Sequence, residues 1–500
     1  MNKSYSLCEW AFITVASAVR RNALTISASL CFGFLAHMFA FTNKLLNADE
    51  TAALFSKGAT VTSGRWGLEL TRLVFPDISM PWIYGVLALL LMTAAVCFTV
   101  DLFDFKKTAS RVLLCGAFMA FPAVTGNFCY MFTSASYSLA IFLAVLAVWL
   151  FAKGGKGRAA AGCVVLALSL GIYQAYVALA ASFCVVWLIK ALMQPELDVK
   201  SALKAAVRFF ALLVVALVLY YAVTLAVEAA LGAGYQEYEV TSGGGILHGL
   251  LVAYSAFVGI FTSGNFGFVT SGVSLAAHCV CAVIIVFGAV VAVIRTHDAK
   301  RGILMLILAA IYPLSVNCMY LAASSDIIHT LVIFSFVSFY VLTLAVLDNM
   351  PDCRKAVRYV CAAAMAVIIL SNVYFANKVY LKMYLEYENA FSFYNSLMAD
   401  IMETPQFERY TVIDLVGSTR NGLTDFDEEL DLGNFMGVND DLVNIYTRVS
   451  FIKYYLGLDL YMYREDTILD CDWYDEMPCY PEEGYIKFLP DEGRLVVKLS

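Results

Sequence analysis

Two adjacent carboxylates, Asp49 and Glu50, stand directly after the first long apolar run, and Arg65 and Trp66 follow in the same polar stretch. An acidic pair at a membrane boundary can take a proton from a hydroxyl or hold a cation. A nearby arginine can grip an anionic headgroup through its planar fork of donors. Arg72, Lys57 and Lys44 are the other cations near this stretch and could share that anion, or pair locally with Glu69 and Asp77. The plain alternative for Asp49 and Glu50 is a solvated loop pair. The length of the loop and its Arg-Trp neighbour favour chemistry.

Other polar groups stand at membrane edges. Tyr173-Gln174-Ala175-Tyr176 opens an apolar run. Its amide and two rings suit sugar hydroxyls and C–H faces, although composition alone favours an aromatic belt with a helix cap. Asn317, Asp326 and His329 flank a short loop between two late apolar runs. An ionisable group at membrane depth is a functional candidate, and a satisfied buried histidine beside a loop aspartate is the plainer reading. Gly243-Gly244-Gly245 and Gly417-Ser418-Thr419 lack the following helix and lysine of a phosphate cradle and read as turns. The 14 cysteines include no CxxC and no Cys/His cluster with zinc spacing. Cys471 and Cys479 stand in polar sequence and could pair outside the cytoplasm or remain free thiols. No cofactor motif is present, and a divalent cation on Asp49 and Glu50 stays open.

These groups need elements to position them, and composition says which. Of 500 residues, 61% are hydrophobic and 15% charged, whereas a soluble domain carries about 25% charged residues. The expected fold is an α-helical polytopic membrane protein with a small C-terminal α/β extracytoplasmic domain. Residues 1–21 predict an interfacial helix. Spans are expected at about 22–41, 82–102, 112–125, 137–152, 159–171, 175–193, 208–230, 275–294, 302–322, 327–347 and 359–377. Residues 125–136 read as a polar and aromatic loop between the third and fourth. The loops at 103–111, 153–158, 194–207, 295–301 and 348–358 carry Lys/Arg, and the alternate loops have almost none apart from the first. Positive charge collects on the cytoplasmic side, so about eleven spans with a cytoplasmic N-terminus place the tail outside. That parity needs the short apolar stretch 246–261 to be re-entrant or surface-bound.

The domains divide as a membrane body, 1–377, with the acidic loop at 42–81, and a tail, 378–500. From Lys378 onward there are 10 Lys/Arg and 24 Asp/Glu, so an acidic tail follows a basic body. In the tail, 380–402 reads as an amphipathic helix, 410–416 as a strand and 484–500 as a hairpin turning at Pro490-Asp491-Glu492-Gly493. The tail acids match no calcium loop.

Four segments together carry a resemblance: Asn47-Ala48-Asp49-Glu50, Ser63-Gly64-Arg65-Trp66, Leu168-Ser169-Leu170-Gly171-Ile172-Tyr173-Gln174-Ala175-Tyr176, and the tail end from Met477-Pro478-Cys479-Tyr480-Pro481 through Val496-Val497-Lys498-Leu499-Ser500. In this order the chain resembles the GtrII-type glucosyltransferase domain family, within the GT-C class of integral-membrane glycosyltransferases, over nearly its whole length. The resemblance implies a hexose donor on polyprenyl phosphate, an extracytoplasmic cell-envelope glycan as acceptor, membrane lipid as surroundings and a bacterial plasma membrane as location. No nucleic acid partner is expected. It implies Asp49 as general base, Glu50 as a group that assists, orients the acceptor or holds a cation, and Arg65 as donor-phosphate ligand; Arg72 and Lys57 are the further phosphate candidates from the residues themselves. Trp66, Tyr173, Gln174, Tyr176, Asn317, Asp326 and His329 complete the expected substrate contacts. The family often has two aspartates where this chain has Asp-Glu, which leaves the role of Glu50 less defined.

The alternative from another class is a transporter or flippase for lipid-linked glycans. It would carry charges or broken helices near the midplane of several spans. Here the spans hold almost no charge and the polar groups gather at one face. A polysaccharide ligase would lean on Arg and His in a large late loop, and residues 231–274 hold one histidine and no arginine.

Overall fold

The computed structural model describes residues 7–52, 54–55, 58, 60–195, 198–232, 245–262, 265–321, 330–350, 355–408, 410–417, 430, 432, 435, 437–438, 442–463, 468 and 471–499. The chain enters through α1 (Leu7–Arg21) and α2 (Ala23–Thr42), whose last carbonyls are capped by the Asn43 side chain donating to Phe39 O at 2.8 Å. The acidic loop holds two short helices, α3 (Ala48–Ala52) and α4 (Trp66–Thr71). α5 (Pro81–Leu102) starts on a proline, whose missing N–H is harmless in a first turn. Then follow α6 (Thr108–Met119), α7 (Pro122–Cys129), α8 (Met131–Lys153), α9 (Lys156–Ile172), α10 (Tyr176–Leu192), α11 (Val199–Leu231), α12 (Gly245–Thr262), α13 (Gly272–Thr296), α14 (Ala299–Val316), α15 (Val337–Asn349) and α16 (Lys355–Glu403).

Among the described residues, nine helical stretches are long and apolar enough to cross a membrane: α2, α5, α6 with α7, α8, α11, α13, α14, residues 330–349 ending in α15, and α16. α10 and α12 are shorter apolar helices. The described residues of the eleven expected spans fall mainly on helical segments, α9 and α10 supplying the remaining two. The chain is a polytopic helical membrane protein. α5 packs between α2 and α8, α9 lies against α8 and α11, and α10 reaches α14 and α15.

The structure departs from the sequence expectation at residues 125–136 and adds detail in two other places. Residues 125–136 are not a loop: α7 and the start of α8 run through them and are buried throughout. Several of their polar groups find partners inside the protein, as where Asn127 Nδ2 donates to Ser134 O at 3.2 Å and Ser138 Oγ at 3.1 Å. A polar composition there signals burial against protein, because buried polar groups need partners that lipid cannot offer. Between body and tail the chain stays helical. α16 runs unbroken through Lys378, and its 49 residues contain neither Gly nor Pro to stop it. The apolar stretch 246–261, expected to be re-entrant or surface-bound, forms α12, which lies against α14 and the turn Cys318–Leu321. Gly249 permits this contact, since a Cβ there would come within 2.4 Å of the Tyr320 carbonyl.

The tail adds β1 (Val412–Val416), α17 (Arg448–Tyr454), β2 (Tyr461–Met462), α18 (Asp472–Asp475), β3 (Ile486–Leu489) and β4 (Arg494–Lys498). The sheet order is β2-β1-β4-β3. β1 is parallel to both neighbours, and β3 and β4 form the expected antiparallel hairpin. Cys471 and Cys479 are free thiols. The tail core gathers Leu397 and Ile401 of α16, Ile413 and Leu415 of β1, Leu495 and Val497 of β4, and Phe451 of α17. It also takes in Leu46, from the root of the acidic loop, while Leu45 before it is buried in the membrane core.

Candidate functional site

Asn47 shapes the acidic turn. Its side-chain oxygen accepts the Glu50 N–H at 2.7 Å, an N-cap for α3, and its amide donates to the Cys129 carbonyl of α7. The two carboxylates that follow enter different surroundings. Asp49 is exposed. Glu50 is fully buried, and its Oε1 accepts from Lys44 Nζ and Ser79 Oγ, while Lys44 Nζ also donates to Ser79 Oγ at 2.9 Å. This closed triangle fastens the start of the loop to its end, just before α5.

Arg65 reaches the same end of the bundle from the middle of the loop. Gly64 turns the chain in the left-handed region at φ 69°, and the Arg65 N–H then bonds Thr60 O at 2.8 Å. The Arg65 guanidinium donates to the Tyr137 hydroxyl at 3.3 Å and sits 5.2 Å over the Tyr173 ring. Tyr137 and Tyr173 stack at 4.5 Å and 22°, and Tyr176 meets Tyr173 edge-on at 5.3 Å. Asp49 stands in the same loop, on the turn that Asn47 fastens to the end of α7. An exposed acid, a guanidinium and a tyrosine pair thus share one end of the membrane body.

The surrounding elements clamp residues 63–67. Gln174 Nε2 donates to Ser63 O at 2.7 Å, and the Tyr220 hydroxyl of α11 donates to Gly64 O at 3.2 Å. Trp66 Nε1 donates to Thr224 Oγ1 at 3.2 Å. The Trp66 ring lies on Gly171, and Gly67 packs backbone to backbone against Gly171 and Ile172, where a Cβ would stand 2.7 Å from both. Trp66 and Gln174 therefore hold the loop, and Tyr176 is buried behind Tyr173 against Phe334.

The remaining expected residues lie elsewhere. Arg72 is engaged by Glu69 at 2.5 Å and Asp77 at 3.0 Å, which occupy its donors from two sides. Asn317 donates to the Ala253 carbonyl at 2.8 Å and ties α14 to α12. Lys57, Asp326 and His329 fall outside the described residues. Among the described residues no group of three His, Cys, Asp or Glu side chains gathers as a metal-ligand set. The Lys44 ammonium already supplies the positive charge beside Glu50, so Asp49 and Glu50 do not form a ready chelating pair. Tyr137 was missed from sequence because it stands one to two turns into an apolar helix. The available signal was topological: the start of the fourth span lies on the same face as the acidic loop.

A many-helix apolar bundle with a polar cluster at one end defines an integral-membrane protein whose chemistry is one-sided. The profile of the family Glucosyl transferase GtrII matches residues 38–347, which hold the acidic loop, Tyr137 and Tyr173, and the chain belongs to this family. It is a membrane glucosyltransferase. No curated protein and no solved structure matches the chain.

Proposed function

We propose that the enzyme moves a hexose, glucose in the first instance, from a polyprenyl-phosphate donor to a cell-envelope glycan on the outer face of a bacterial plasma membrane. Asp49 is the general base. It takes the proton of an acceptor hydroxyl as that oxygen bonds the anomeric carbon. The bond from that carbon to the phosphate oxygen breaks, and its electron pair leaves with polyprenyl phosphate. Arg65 takes up the charge that gathers on the phosphate. The stacked Tyr137 and Tyr173 hold the guanidinium in place. Glu50 positions the turn that carries Asp49.

The observation that carries this reading is the Arg65 guanidinium held on Tyr137 and Tyr173 by the same loop that leaves Asp49 as the exposed member of the acidic pair. The placement of the tail supports the outward orientation. Leu46 is buried in the tail core, so the first loop and the tail lie at one end of the bundle. α11 reaches that end where Thr224 meets Trp66, and Gly267, between α12 and α13, packs on Phe375, which meets Phe435 of the tail. These contacts support a re-entrant α12, the arrangement the positive-inside count requires.

The test is transfer of radiolabelled glucose from synthetic polyprenyl-phosphate glucose to envelope glycans, in membranes with equal amounts of wild type or Asp49→Asn. Transfer by wild type and its collapse in the variant is expected. Undiminished transfer in Asp49→Asn would move the base elsewhere. Transfer from a nucleotide sugar alone would overturn the donor class, and lipid crossing without transfer would replace the reaction by a flippase.

A further inference from the structure

Glu50 leaves one oxygen over. Lys44 and Ser79 share Oε1, while Oε2 is enclosed and has no hydrogen-bond partner. A buried carboxylate oxygen without a donor is costly, and in a native protein it calls for a partner. Tyr455 has the complementary deficit. It directly follows α17, and its hydroxyl is enclosed and without a partner. Burial first, then the charge of Glu50, then Tyr387, push its phenol well above the usual tyrosine range. At neutral pH it keeps its proton and is available as a donor.

The surrounding contacts hold these two groups in register. α17 packs against α3, and Phe55 of the loop meets Tyr454 edge-on at 5.2 Å. The Tyr455 ring stacks on Phe451 at 5.4 Å and lies 6.1 Å from Tyr387 of α16. Leu46, four residues before Glu50, is buried in the same tail core as Phe451. The tail thus reaches the acidic turn from residues that lie outside the span 38–347 matched by the family.

We propose that Tyr455 is a positioning residue for the transfer reaction: its hydroxyl satisfies Glu50 Oε2, directly or through one buried water, and so fixes the turn that presents Asp49. The inference rests on Asp49 being the base. It gives the tail a task in this enzyme, which is to hold the acidic turn in its working geometry.

A double-mutant cycle tests it in the full-length protein. Tyr455→Phe keeps the ring and removes the donor; Glu50→Gln keeps the shape and removes the charge. Tyr455→Phe should lower kcat roughly tenfold, the size of one hydrogen bond to a charged group, and leave KM for donor and acceptor unchanged. A ring that only packs would show no such loss. In the Glu50→Gln background the same substitution should change kcat by less than about twofold. The thermal unfolding midpoint should follow the same pattern, lowered by Tyr455→Phe in wild type and unmoved in Glu50→Gln. Additive effects in both measurements overturn the proposal, as does a Tyr455→Phe protein with full kcat and an equal or higher midpoint. If wild type transfers no glucose at all, the proposed reaction fails separately. The midpoint cycle then still decides whether the two side chains are coupled.

Discussion

Gly67→Ala is the sharpest perturbation the structure offers, because it moves the site without touching a polar group. A Cβ on Gly67 would stand 2.7 Å from Gly171 C and Ile172 N and 2.9 Å from Gly171 O. Ordinary contacts lie at 3.4–4 Å, and both sides here are backbone, so no side chain can swing away. The two segments must part by about 1 Å, and overpacking of this kind costs about 1–3 kcal/mol. Arg65 lies two residues earlier, and its bond to the Tyr137 hydroxyl is already long at 3.3 Å. A shift of that size breaks it, and about 1 Å of misplacement can cost about 100-fold in rate. The assay is glucose transfer at equal membrane protein, together with the unfolding midpoint. Gly157→Ala is the control: it lies in the first turn of α9, its Cβ meets nothing within 4 Å, and helix propensity should stabilise it by up to about 1 kcal/mol. Gly171→Ala should be milder than Gly67→Ala, because its Cβ meets the Trp66 side chain, which can tilt. A Gly67→Ala enzyme with wild-type midpoint and transfer within twofold would refute the claim that this backbone contact positions Arg65.

Lys44→Met should be worse than Glu50→Gln. It leaves the fully buried Glu50 charge without its cation, a loss of about 3–5 kcal/mol, whereas Lys44, with 30% of its side chain exposed, can turn to water; denaturant midpoints of the two variants check the order. Asp414→Asn should destabilise the tail by about 3–5 kcal/mol, since it leaves Arg494 buried between β1 and β4, and tail proteolysis reads the loss. His37→Leu should orphan the Tyr380 hydroxyl and the Met119 carbonyl, bonded to the ring at 2.7 and 2.8 Å, at about 1–3 kcal/mol each, seen as a lower midpoint. Arg65→Lys should raise the donor KM several-fold, since an ammonium keeps the charge and loses the planar fork.

The helices were legible because lipid demands continuous apolar length, and that demand is written residue by residue. What lipid does not demand was harder to see. Residues 125–136 read as a loop because Thr125, Asn127, Ser134 and Ser136 look polar, yet each is buried and the helix never leaves the bundle. Composition along a chain cannot tell a polar residue in water from one paired inside protein. The end of the membrane body is marked in sequence only by charge. The charge pattern changes near Lys378, but no Gly or Pro interrupts α16 there, so the change of environment falls along one rigid helix.

The site was legible in its types and obscure in its pairings. Asp49, Glu50 and Arg65 stood out because charge is rare in this chain. Their division of labour depends on Lys44 and Ser79, which lie on either side of the acidic pair and meet at Glu50 only once the loop is folded. The tail's part was hidden altogether, because Tyr455 is one tyrosine among 29 and nothing local marks it. That part follows from the chemistry required. A base in a flexible loop at a membrane surface is poorly placed to meet a hydroxyl from outside and a phosphate from the lipid side. Leu45 in the membrane core and Leu46 in the tail core pin the root of the loop between two rigid bodies. Gly67 on Gly171 pins its middle. Between those two anchors Asp49 is left exposed, which is the position a base must have to reach an acceptor from the outer side.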